Sequence, residues 1–132
     1  MTNPLTDLVV DETKFDLDLL ASMLRGQVNI MSGTGEVRLS AAALDLPKKY
    51  QVLVFLLGRK AAKVLGKAAD EATSGREIAS ALGMEPNPVS GHLTFLKADG
   101  FVRLNDGKYS VPGYAVEKAK IVLEAQRKGK SK

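Results

Sequence analysis

The chain of 132 residues has no cysteine, no tryptophan and one histidine, and aromatic residues make up only 5% of it. Without cysteine it forms no disulfide and offers no thiolate to a metal ion. The one histidine, His92, has no second imidazole with which to hold a metal. Serines and carboxylates occur, but a catalytic serine needs a base and only this one histidine is available. We therefore expect no metal, no cofactor and no enzymatic activity.

Long apolar runs and phosphate-binding loops are also missing. The longest apolar run, residues 52–57, is far shorter than the roughly 20 residues that a membrane-spanning helix needs. Gly33 and Gly35 are not followed by the lysine and hydroxyl residue of a phosphate loop. Aromatic residues do not alternate with the basic ones, which argues against stacking on single-stranded nucleic acid. The sequence predicts a cytoplasmic protein that does not contact a membrane.

Charge is distributed unevenly along the chain, whose formal net charge is +4. Residues 1–45 carry three basic and seven acidic side chains, a net charge of −4, whereas residues 46–112 carry ten basic and six acidic ones, a net charge of +4. Residues 113–132 add six basic and two acidic side chains. Clustered basic charge is typical of nucleic-acid binding, although lysine-rich faces are often simply solvated.

Residues 74–98 have the pattern of two short helices joined by a sharp turn. Ser74 and Glu77 have the spacing of a capping box, which predicts the start of the first helix. Gly83 is expected to end that helix in a left-handed conformation, and Asn87 and Pro88 to begin the second helix as its cap and first residue. The residues expected to face the core are Ile78, Ala79, Leu82, Val89, Leu93 and Leu96.

A hairpin is expected directly after the second helix. Residues 101–104 and 108–111 are short runs rich in β-branched and aromatic residues. Asn105, Asp106 and Gly107 separate them, and an Asp-Gly pair between such runs is a strong hairpin signal. Arg103 and Lys108 would flank the tip of this hairpin and reach phosphates.

This stretch resembles the winged helix-turn-helix transcription regulators, above all the arsenic-repressor-like and multiple-antibiotic-resistance-regulator-like branches. Ala79, Gly83 and Val89 have the spacing of the helix crossing, the turn and the inner anchor of that motif. Residues 88–102 are similar to the family stretch V-S-x-H-L-x-x-L-x-x-x-G-L-V. The resemblance implies a mainly α fold with a small β part, with helix 88–98 in the major groove of double-stranded DNA and the hairpin, or wing, on the backbone.

The resemblance also implies a division of roles among the outward-facing residues. Asn87, Ser90 and Thr94 would meet base edges or phosphates, and Lys97 would hold a phosphate, as would Arg103 and Lys108. His92 would pack at the edge of the core or donate to a phosphate. Gly91 stands where many members of the family carry a side chain that contacts DNA. The predicted DNA-binding residues are Asn87, Ser90, Gly91, His92, Thr94, Lys97, Arg103 and Lys108.

Three segments follow from these patterns. Residues 1–45 form an extension with a helix at 15–25 and a hairpin of strands 27–31 and 36–39, which binds an effector, mediates dimerisation or extends the core. Residues 46–113 form the winged domain. Its first helix starts near Asp45 and runs to about Lys67, with Tyr50, Leu53, Val54, Leu57, Ala61, Val64 and Leu65 as its buried stripe. Residues 68–73 link it to the next helix.

The last segment, residues 114–132, is predicted to hold a helix over 114–128 and a basic tail. Its apolar face consists of Ala115, Val116, Ala119, Val122 and Leu123, and we expect it to build a homodimer. On the long helix, Arg59, Lys60 and Lys63 form a solvated face or touch phosphates, with solvation favoured.

The sequence thus predicts a double-stranded DNA-binding protein that regulates transcription, cytoplasmic and associated with the nucleoid. No arginine lies on the outer side of helix 88–98, so we expect modest sequence preference. Two alternatives remain open: a winged-helix protein-interaction module, and an architectural DNA-binding protein of low specificity.

Overall fold

In the computed structural model, residues 4–8 and 17–130 are described, with only the backbone of residues 7 and 127–130. The described chain is mainly helical with two small antiparallel sheets, which confirms the predicted mainly α class with a small β part. Besides short 3-10 helices at Pro4–Leu8 and Gly113–Ala115, the elements are α1 (Leu17–Leu24), β1 (Val28–Ile30), β2 (Val37–Leu39), α2 (Ala41–Leu44), α3 (Lys48–Val64), β3 (Thr73–Ser74), α4 (Gly75–Leu82), α5 (Pro86–Ala98), β4 (Arg103–Asn105), β5 (Lys108–Ser110) and α6 (Val116–Lys130).

Helix α3 is the centre of the core. Every residue from 51 to 58 is buried, because α1, the β1–β2 hairpin, α2 and α5 all pack around this part of the helix. Gln51 is satisfied inside the core, since its Nε2 donates to the carbonyl oxygens of Leu44 at 3.0 Å and Leu46 at 2.8 Å. The predicted buried stripe of this helix included Val64 and Leu65, and that part of the prediction is wrong because both residues are exposed. The helix also starts at Lys48 rather than Asp45, directly after Pro47.

The α4–α5 pair has the predicted order with two changes, one in the capping of α4 and one at the start of α5. Ser74 caps α4 by accepting the Glu77 N–H at 3.2 Å, and the Glu77 carboxylate accepts from the Ser74 hydroxyl at 3.0 Å instead of from the Ser74 N–H. Gly83 ends α4 in the left-handed conformation, at φ 67°, as predicted. Asn87 is not the cap of α5. The helix starts at Pro86, because a residue without an N–H is tolerated anywhere in a first turn.

The second sheet contains three strands in the order β3-β5-β4. Asp106 and Gly107 both have positive φ, 52° and 76°, so β4 and β5 are joined by a two-residue type I′ turn and Asn105 belongs to β4. Strand β3 lies at the end of the predicted linker 68–73, where Thr73 pairs with Tyr109. A two-residue strand has too few residues to show the alternation that identifies strands in a sequence.

The amino-terminal extension extends the core, one of the three roles considered for it. Helix α1 buries Leu20, Met23 and Leu24, and β2 buries Val37, in the same cluster as the side chains of α3. The hairpin has the predicted antiparallel pairing, with Val28 opposite Leu39. The first two residues of the predicted helix 15–25 lie outside the described residues.

Helix α6 packs its predicted apolar face into the chain itself. Ala115, Val116, Ala119 and Leu123 are all buried in the core. Tyr114 and Ile121 stay exposed, at 75% and 65%. The helix runs to Lys130, two residues beyond the predicted end. In the part of the chain that the structure describes, no helix has the length and apolar character needed to cross a membrane.

A close backbone contact joins the first hairpin to the segment that follows α3. Gly35 has φ 75°, and a Cβ there would lie 1.9 Å from the carbonyl oxygen of Lys67. We expect Gly35→Ala to lower the free energy of unfolding by about 2–4 kcal/mol, from left-handed strain plus the clash. Gly33→Ala is the matched control, because a Cβ at Gly33 meets nothing within 4 Å. Urea denaturation of both variants tests this, and equal stabilities would contradict the contact.

Candidate nucleic-acid interface

Helix α5 has one buried and one exposed side. Val89, Leu93 and Leu96 are each 0% exposed and pack against α3 and α4. Residues opposite this apolar seam are exposed and uncovered by any described part of the chain. We call these residues the outer face of α5: Asn87, Gly91, Thr94, Phe95 and Ala98.

Four of the predicted contact residues of α5 differ in exposure and position. Asn87 is exposed in the first turn and, among the described residues, no hydrogen bond engages its carboxamide. Ser90 and Lys97 are exposed too, seven residues apart along one edge of the outer face. His92 is half-buried beside the apolar seam, which agrees with the predicted position at the edge of the core.

Thr94 is exposed, but its hydroxyl group is partly engaged. Thr94 Oγ1 donates to the backbone carbonyl oxygen of Ser90 at 3.0 Å, the bond that threonine often makes one turn back in a helix. The hydroxyl hydrogen is therefore used within α5. Thr94 still offers its oxygen lone pairs and its methyl group to a molecule that approaches the outer face.

Gly91 lies in the middle of the outer face without a packing reason inside the described chain. A Cβ at this position would meet no atom within 4 Å. Glycine inside a helix costs roughly 1 kcal/mol relative to alanine, because its backbone loses more freedom on folding. The absence of a side chain here leaves the helix backbone open to close approach from outside.

Phe95 is a surface residue that the sequence analysis missed. Its side chain is 63% exposed, and the ammonium group of Lys49 lies 5.8 Å from the centre of its ring, at the outer range of a cation–π contact. The signal was present in the sequence. At about 100° per residue, Phe95 is turned well away from the seam of Val89, Leu93 and Leu96.

The hairpin of β4 and β5 carries two of the predicted cations on one of its faces. Arg103 pairs with Ser110 and Asn105 with Lys108, and directly opposed residues of antiparallel strands share a face. Arg103 and Lys108 line a shallow depression of about 380 Å³, and Lys63 at the end of α3 lines its other side. We call Lys63, Arg103 and Lys108 the basic cluster; all three side chains are exposed.

Asp70 lies in the same depression and adds a negative charge to it. The pKa of its carboxyl group is lowered, first by the hydrogen bond from the Ala72 N–H and then by the charges of Lys108, Lys63 and Arg59. The group is therefore ionised at neutral pH, and it offsets part of the positive charge of the basic cluster.

Two further cations of α3 are used inside the protein. Arg59 donates to the Asp70 carbonyl oxygen at 2.6 Å and to Thr73 Oγ1 at 3.2 Å. Lys60 is buried and pairs with Glu71 at 3.0 Å. The expected solvated face is wrong for Lys60, which is buried, whereas Arg59 is half-buried and its contact with a phosphate stays a prediction. Both side chains hold residues 70–73 against α3. Only Lys63 of the three is exposed to solvent.

A second concave surface is lined by α1, β1 and the end of α3. An open groove of about 510 Å³ runs between α1, β1 and the end of α3, lined by apolar side chains that include Leu17, Val64 and Leu65, with Arg25 and Asp18 among the polar ones. No group of three or more histidine, aspartate or glutamate side chains that could hold a metal ion occurs among the described residues.

Comparisons of the chain with protein-family models, with curated proteins and with solved structures gave no match.

Replacement of Gly91 tests whether its missing side chain serves the fold. We expect Gly91→Ala to raise the free energy of unfolding by roughly 0.5–1 kcal/mol, because alanine favours the helix and nothing obstructs its methyl group. Thermal unfolding followed by circular dichroism measures the change. A destabilised variant would show that Gly91 is required for folding, and would remove it from the outer face as a site of close approach.

Proposed function

We propose that residues 46–113 form a winged helix-turn-helix domain and that the protein is a double-stranded DNA-binding transcription regulator, cytoplasmic and associated with the nucleoid. The observation that carries the proposal is the uncovered outer face of α5, held out by a fully buried seam of Val89, Leu93 and Leu96. The order of α3, β3, α4, turn, α5 and a tight hairpin supports it, since a second helix presented in this way is the usual element for the major groove.

The exposed side chains support a division between base and phosphate contacts. In this proposal Asn87, Ser90 and Thr94 face base edges, while Lys97, Arg103 and Lys108 hold phosphates. Gly91 admits the duplex close to the helix backbone, and His92 borders the contact from the core side. Because the outer face carries no charged side chain, most of the affinity would come from phosphates.

A gel-shift experiment separates this proposal from its alternatives. A labelled promoter fragment is titrated with the protein against competitor DNA, at low and at physiological salt. A transcription regulator prefers the fragment and binds more weakly as salt rises. An architectural protein shows the same salt dependence without preference. The second candidate is a protein-interaction module, which the exposed Phe95 and the uncharged outer face favour. Such a module binds neither the promoter fragment nor the competitor DNA, and it elutes with another polypeptide.

Charge variants of the hairpin test the phosphate contacts. We expect Arg103→Ala and Lys108→Ala to weaken binding to specific and random DNA alike, and each to reduce the slope of log K against log salt by about 0.9. Asp70→Asn should act in the opposite direction, because the amide oxygen keeps the bond to the Ala72 N–H while the negative charge is lost. Fluorescence anisotropy at several salt concentrations measures all three.

The controls for these variants lie outside the basic cluster. Arg38→Ala removes an exposed cation of β2 and should leave binding unchanged. Ser90→Ala and Thr94→Ala should reduce the ratio of the affinity for specific DNA to the affinity for random DNA, instead of lowering both affinities equally. If all four α5 and hairpin variants lost affinity equally on both DNAs, the division between base and phosphate contacts would be contradicted.

We also propose a homodimer through α6, since two-fold symmetric readers of DNA pair their half-sites. The buried face of α6 is used within the chain, so the contact would be made by the exposed Ile121 of α6 and by the exposed Tyr114 in the 3-10 helix directly before it. We expect a dimeric mass by light scattering at micromolar concentration and a monomeric mass for Ile121→Lys. Leu44→Lys, an exposed apolar residue of α2, is the control and should remain dimeric. A monomeric wild-type protein would contradict the homodimer.

A further inference from the structure

We propose that α5 reads A·T base pairs, through a contact of Asn87 with adenine and a contact of Phe95 with the methyl group of thymine. This inference rests on the proposed function, because it concerns the sequence that the same outer face would select.

The chemistry of the outer face disfavours G·C pairs. Guanine is most often read by an arginine or lysine that donates to its O6 and N7, and cytosine by a carboxylate that accepts from its amino group. The outer face of α5 has neither kind of side chain. The nearest basic residue on the helix, Lys97, lies at the edge of the face and not on it.

Asn87 has the side chain and the position for adenine. A carboxamide presents one acceptor and two donor hydrogens, which match the amino group and N7 of adenine in the major groove. Residues in the first turn of a recognition helix are among those that reach base edges. Since α5 begins at Pro86 and Asn87 is not its cap, the carboxamide is free of the hydrogen bond that capping would impose.

Phe95 supplies an apolar contact on the same side of the helix. Thymine is the one DNA base whose major-groove edge carries a methyl group. The phenylalanine side chain and the methyl group of threonine are among the protein groups that contact this methyl group. Phe95 is 63% exposed, and Lys49 at 5.8 Å flanks its ring without covering it. The bond of Thr94 Oγ1 to Ser90 keeps the neighbouring hydroxyl hydrogen away from the base edge.

Gly91 lies between these two side chains along the helix. Its position, four residues from each, lets a base edge approach the backbone between them, because no Cβ stands in the way. Eight residues of α-helix span about 12 Å, so the two side chains would contact different base pairs.

The test starts from sites selected out of random duplexes by the full-length protein, which we expect to be rich in A·T pairs. Uracil then replaces thymine, which removes only the methyl group, and 7-deazaadenine replaces adenine, which removes N7. Each uracil at a contacted thymine should weaken wild-type binding about fourfold, the effect of one buried methyl group. The deaza substitution should weaken it about tenfold, as expected when a two-bond contact is broken.

Variants assign the two effects to their residues. The affinity of Phe95→Ala should not change when uracil replaces thymine, but should still fall when 7-deazaadenine replaces adenine. The affinity of Asn87→Ala should fall with uracil and not change with 7-deazaadenine. Leu44→Ala, which removes an exposed apolar side chain from α2, should respond to both like the wild type. Circular dichroism should show the same helicity for all variants, since each replaced side chain is exposed.

The outcomes separate this inference from the function on which it rests. If the protein selected duplexes rich in G·C pairs, the A·T reading would be overturned and DNA binding would stand. The same conclusion would follow if replacement of thymine by uracil left the affinity unchanged. A protein that binds no duplex at low salt, or that uses Phe95 to bind another polypeptide instead, would overturn both.

Discussion

The packing of α5 on α3 is the interaction on which the rest of the structure depends. Val89, Leu93 and Leu96 are buried without residual exposure against a helix that is itself buried over residues 51–58. This seam fixes the rotation of α5 about its own axis, and with it the set of side chains that face outward. Lys118 adds a second restraint at the end of α5, because its ammonium group donates to the Asp99 carbonyl oxygen and lies 4.7 Å from the Phe101 ring.

Local chemistry made most of the elements predictable. Ser74, Glu77 and Gly83 define α4 by capping and by the left-handed turn, and Asp106 and Gly107 define the hairpin by their positive φ values. These signals depend on the few residues that form them and need no knowledge of the remaining fold. The start of α5 was predicted wrongly, at Asn87 and Pro88, because Pro86 and Pro88 both suit a first turn and only the packed structure chooses between them.

Features that depend on distant partners were not visible in the sequence. Strand β3 exists because its two residues meet β5 and because Arg59 and Lys60 hold the segment before it. The exposure of Ile121 and Val64 depends on which neighbours surround α6 and α3. The residue type alone does not tell whether a neighbouring element covers an apolar side chain. On α5 the exposure of Asn87, Ser90, Thr94 and Lys97 was predicted correctly. The exposure of Phe95 was missed, although its angular position away from the seam was visible in the sequence.

The burial of Lys60 has a consequence for how a polyanion would meet this protein. Its charge counts in the formal total but contributes little to long-range attraction, since the side chain is buried and paired with the Glu71 carboxylate. Arg59 keeps its charge, because both of its acceptors are neutral oxygens. The attraction therefore comes from cations at the surface, and it decays over about 8 Å at physiological ionic strength. Encounter rates would therefore depend on the orientation of the approaching molecule far more than the formal charge of +4 suggests.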